Sequence, residues 1–163
     1  MGENLNRVTR LRRRTAWPLL LAAAAVLAGW APRAGAQLTV SEVVELSFGS
    51  VVDQDGTITL GLSDAIVSDP NAIHMGGAVA TGQYEISGDP FASVSIQFAG
   101  STANGLSIYQ FDTDQGTPPL SGVALDGDGT LLLRVGATLT VTADECTPGN
   151  AQALPFTITV NYE

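Results

Sequence analysis

The chain has 163 residues, 7 of them basic and 16 acidic, with one histidine, one cysteine and no lysine. Six of the seven arginines lie within the first 33 residues, so a chain starting at Gln37 sets Arg134 alone against 15 carboxylates, a net charge of −14. That balance excludes phosphate-backbone binding to nucleic acid and attraction to an anionic membrane, both of which need clustered cations.

The first predicted element is a leader. Arg7 to Arg14 gives a positive start, Leu19 to Ala31 an apolar run of 13 residues, and Ala34-Gly35-Ala36 a small-x-small exit before Gln37. This is the pattern of a secretory signal peptide over residues 1–36, and the run is too short for a membrane span, which needs roughly 20 apolar residues. The reading therefore leaves no membrane span after processing, and places the protein in the periplasm, at the cell surface or outside the cell. Leu27-Ala28-Gly29-Trp30 offers no thiol for lipid attachment, and Thr15-Ala16 after Arg12-Arg13-Arg14 fits a twin-arginine signal poorly. Both tryptophans, Trp17 and Trp30, would leave with the leader. Residues 37–163 then number 127, enough for one domain with its own core.

Period-two alternation governs that domain. Leu38, Val40, Val44, Leu46 and Phe48 open it, followed by Ile58, Leu60 and Leu62. Tyr84 and Ile86 come next, then Val94, Ile96 and Phe98, then Leu106 to Phe111. Leu131 to Val135, Leu139 to Val141 and Phe156 to Tyr162 complete the series. The breakers between them include Asp55-Gly56, Asn104-Gly105, Asp126-Gly127 and Asp128-Gly129, whose residues tolerate positive φ in tight turns. The polar stretch from Asp112 to Asp128 reads as one long connection. Roughly eight or nine short, half-polar strands predict an all-β fold, an antiparallel β-sandwich of immunoglobulin-like or pilin-like kind.

Little in the sequence points to catalysis. His74 is the only histidine, so neither a multi-histidine metal site nor a Ser-His-Asp triad has its usual parts, and no G-x-S-x-G elbow occurs. His74 reads as a strand-edge residue, no cofactor is expected, and the protein is expected not to be an enzyme. Asp53-Gln54-Asp55-Gly56 and Asp126-Gly127-Asp128-Gly129 are the best calcium candidates. As twelve-residue calcium loops they fail, with Ile58 and Leu131 at the glycine position and Ala137 at the second loop's closing carboxylate. Cys146, beside Asp144 and Glu145, reads as a free thiol whose acidic neighbours disfavour the thiolate.

Short motifs recur in a recognisable order: Leu46-Ser47-Phe48-Gly49, Gly56-Thr57-Ile58-Thr59-Leu60, Tyr84-Glu85-Ile86-Ser87-Gly88, then Leu133-Arg134-Val135-Gly136-Ala137-Thr138-Leu139 and a closing Thr157-Ile158-Thr159-Val160-Asn161-Tyr162. In this order the chain resembles the bacterial domain-of-unknown-function family "forty-four zero two" over nearly all of residues 46–163. The resemblance implies an exported β-rich domain and supplies no catalytic residue. The C-terminus also resembles the last strand of chaperone–usher pilus subunits: Phe156, Ile158, Val160 and Tyr162 alternate, Tyr162 is penultimate, and Gly149 stands fifteenth from the end. That likeness implies a periplasmic chaperone, an usher and like subunits as partners, with the 156–162 row as an assembly strand. Leu38, Val40, Val44 and Leu46 would be its donor segment, interrupted by Glu42, or equally the first strand of a self-complete domain. A surface or fimbrial-type structural subunit is the leading expectation. A self-complete binding module for glycan or calcium is the alternative.

Overall fold

Strands that alternate aliphatic residues with Thr, Ser and Gln have two unlike faces, and they pair so that the apolar faces meet. The computed structural model describes residues 35–145 and 152–163, and every regular element among them is a strand. In chain order these are β1 (Thr39–Val44), β2 (Ser47–Val51), β3 (Gly56–Leu60), β4 (Ile66–Ser68), β5 (His74–Ala80) and β6 (Gly82–Ser87). They continue with β7 (Ser93–Ala99), β8 (Ser101–Ala103), β9 (Leu106–Thr113), β10 (Leu120–Ala124), β11 (Thr130–Val141) and β12 (Thr157–Tyr162). The strand pairings are antiparallel throughout.

The long strand β11 is the spine of a seven-stranded sheet. Its first half pairs with β6, which carries β1 at the sheet edge, and its second half pairs with β3 and β9. Thr138 stands opposite both Thr59 and Tyr109, so β3 and β9 flank it on opposite sides. A three-stranded sheet in the order β10-β7-β12 and a two-stranded sheet of β2 and β5 complete the protein. The main core lies between the large sheet and the three-stranded one. Ile86, Leu133 and Val135 from the first meet Val94, Ile96 and Val123 from the second, all fully or nearly fully buried. A second cluster of Ile58, Ile73, Leu106, Leu139 and Val141 sits beneath Phe48 and Val51 of β2. This arrangement is consistent with a β-sandwich, as the alternation predicts.

Twelve strands stand among the described residues against the expected eight or nine: β4, β5 and β8 fall outside the predicted runs, and the other differences have physical reasons. The opening row breaks after Val44 into β1 and β2, which pair with different partners, β6 and β5. The two runs at Leu131 to Val135 and Leu139 to Val141 are one strand, β11. Its midpoint Gly136 lets the backbone of Leu60 come so close that a Cβ would sit 2.5 Å from that residue's carbonyl oxygen. The polar connection from Asp112 to Asp128 contains β10, whose partner β7 lies far back in the sequence. Leader residues 1–34, Cys146 and Gly149 lie outside the described residues.

Candidate interaction edges

The predicted assembly row occupies a sheet edge. Among the described residues β12 pairs only with β7, rung by rung from Thr157 opposite Ala99 to Tyr162 opposite Val94. Leu154, Phe156, Ile158 and Val160 turn inward and pack on the main core, while Thr157, Thr159 and Asn161 face solvent. Phe156 is the anchor: its ring lies 4.9 Å from Phe111 and 5.7 Å from Tyr84, the latter edge-on. Such aromatic contacts add to plain area burial. Among the described residues no strand pairs with β12's other edge, and these inward residues are half-buried.

Tyr162 does not share their fate. Its hydroxyl donates to the Ala36 carbonyl at 2.7 Å and accepts the Asp89 backbone N–H at 2.8 Å. The Asp89 carboxylate in turn accepts the Ala36 N–H at 2.6 Å. Two hydrogen bonds therefore grip Ala36, the residue expected to precede leader cleavage, from both its donor and its acceptor side, and a third ties the two gripping residues together. Gly88 makes room for the grip, since a Cβ there would lie 2.6 Å from the Tyr162 hydroxyl. The other expected cleavage residue, Ala34, lies outside the described residues.

The expected donor segment does not present one face. Val40 stands opposite the buried Ile86, and Glu42 opposite Tyr84, so both point to the core side. A bulge at Val43 then shifts the register and sets Val44 opposite Gln83, on the other face, where both are half-buried. Extra residues in one strand of a pair have this effect, because side-chain direction alternates with every residue. Leu38 and Leu46, which flank the strand, pack partly on the core. Glu42, which interrupts the sequence row, has a partner: burial of Tyr84, with the nearby Glu42 and Glu45 charges and a hydrogen bond to Glu42, pushes the phenol up to about 12. Of the six residues of β1, Thr39 to Val43 are exposed and only Val44 is half-buried. Backbone pairing to β6 is its main attachment.

The remaining polar residues serve turns. Asp126 accepts the N–H groups of Asp128 and Thr130 and the Thr130 hydroxyl, and these bonds hold its carboxyl below the usual carboxylate range. Asp53 and Asp55 accept the N–H groups of Asp144 and Ala143, so this acidic turn ties down a distant segment. Asp64 exchanges hydrogen bonds with the fully buried Thr81 and faces Arg134 at 3.5 Å, and its carboxyl is likewise lowered, chiefly by Thr81. His74 begins β5; its N–H donates to Asp69, and its Nε2 is buried without a hydrogen-bond partner among the described residues. Among those residues no three His, Cys, Asp or Glu side chains converge on a possible metal position.

A family model described as "Domain of unknown function (DUF4402)" matches residues 38–162. No curated protein matches the chain.

Proposed function

The chain belongs to the DUF4402 family of domains of unknown function, and from that membership we propose that it is an exported, non-enzymatic β-sandwich acting as a surface structural subunit of fimbrial or adhesive type. Export rests on the leader pattern of residues 1–36, with processing after Ala36. The observation that carries the structural role is β1. It is a sheet-edge strand held by its ladder to β6, with side chains that contribute little to the core, so it can leave at modest cost. A vacated β6 edge would then accept the same segment from a second copy, with main-chain hydrogen bonds supplying affinity. The partners are further copies of this chain, delivered by a periplasmic chaperone and usher where those exist.

A cross-strand lock tests this. Ser41 and Glu85 face each other across β1 and β6, both exposed. In a Cys146→Ser background, Ser41→Cys with Glu85→Cys would bind β1 to its own sheet. Assembly that appears on reduction and vanishes on oxidation, read by gel filtration, supports strand exchange. Assembly indifferent to the lock overturns it.

A second reading is favoured by the same register. β1 is paired within its own chain through five rungs, which suits a self-complete binding module. A protein that stays monomeric at every concentration, reduced or oxidised, would favour that reading.

A further inference from the structure

The fold holds a cleft of about 830 Å³ where β7, β9 and the 112–119 loop meet β3 and β11. We propose that it binds an uncharged saccharide. Its apolar floor is the half-buried ring of Phe98, backed by the buried Phe111 with ring centroids 5.0 Å apart. The hydroxyls of Thr59 and Thr138 meet at 3.1 Å on one wall. The Gln97 and Gln110 carboxamides stand on the lining, and neither is hydrogen-bonded to another described residue. Asp112 is fixed there by the Thr117 hydroxyl at 3.1 Å.

The backbone is bent to make this lining. In a regular strand, successive side chains point to opposite faces. Gln110, Phe111 and Asp112 nevertheless all line the one cleft. They do so because β9 bulges against β11: Tyr109 stands opposite Thr138 and Asp112 opposite Gly136, so two residues of β9 face the single Ala137. Gln110 takes up the bulge at φ 51°, a left-handed conformation disfavoured for any residue with a Cβ. Strain of this kind held at a cleft is a pointer to function.

The chemistry selects the ligand class. Carboxamides both donate and accept, as hydroxyl groups require, and a phenyl floor suits the C–H face of a pyranose ring. Among the described residues no basic side chain lines the cleft, and the net charge of −14 over residues 37–163 repels anionic sugars. One carboxylate is too few for calcium, which takes six to eight oxygens.

The test uses Gln110→Gly and Gln97→Ala. Glycine tolerates the positive φ, so the first variant removes the carboxamide while relieving the bend. Wild type and both variants, made from the full chain, are titrated by ligand-observed NMR with maltotriose, cellotriose, chitotriose and mannotriose. The expected result is binding of at least one of these, weakened roughly tenfold in each variant, with melting temperatures no lower than wild type for Gln110→Gly. No binding of any of the four at about 10 mM overturns the proposal, as does binding that both variants leave unchanged. Preference for a sialylated or sulfated trisaccharide over its neutral counterpart overturns the ligand class.

Discussion

Tyr84 shows how one side chain ties chemistry to stability. Its phenol is raised to about 12, first by burial and then by the Glu42 and Glu45 charges, so the folded state holds its proton where the unfolded chain has released it. Its contribution is fully present below pH 10 and is lost as pH climbs toward about 12. We expect alkaline unfolding in that window, followed by tyrosinate absorbance, and Tyr84→Phe should remove the phenol's share of the pH dependence. On the acid side, Asp64 and Asp126 have lowered carboxyls, so their contributions hold above the ordinary carboxylate range and fade as pH falls through the depressed values. In the core, Leu133 is fully buried between the sheets, and Leu133→Ala should cost about 2–5 kcal/mol in urea unfolding.

At the scale of the element, the alternating pattern was legible wherever a strand's faces are set by its own residues. β3, β6, β7 and β12 follow their local sequence closely, because one face meets the core and the other is more open to water. What the sequence hides is decided by partners. β10 is written as Leu-Ser-Gly-Val-Ala, an irregular alternation that becomes a strand only beside β7. The bulges at Val43 and at Gln110 depend on the registers of β6 and β11, so a row that alternates on paper changes face in the fold. Gln97 and Gln110 look like the ordinary polar half of any strand, and nothing local marks the cleft they line. The grip on Ala36 joins residues 73 and 126 positions apart and has no local signature at all. The half-buried row of β12 has a direct test. Ile158→Asp places a carboxylate against the Phe156 cluster and the main core, where an unpaired charge is costly. We expect loss of the cooperative transition in circular dichroism, whereas Thr159→Asp, on the exposed side of the same strand, should be tolerated.

Across the whole molecule, charge and chain layout set behaviour. With fifteen carboxylates against Arg134 over residues 37–163, the folded state repels itself, and added sodium chloride should raise the melting temperature by screening. The hydroxyl of Tyr162 on the carbonyl of Ala36 has a mechanical consequence. Both strands at the ends of the domain emerge at the same place, one from the first rung of β1 and the other from the last rung of β12. Tension drawn between those points meets the rungs one at a time, so the ladders unzip and never share the load in shear. A row of such domains linked through their tails would hang as pendants from a common line, and each would give way at low force. Single-molecule pulling should record a small first rupture, smaller still in Tyr162→Phe, before the sheets peel apart.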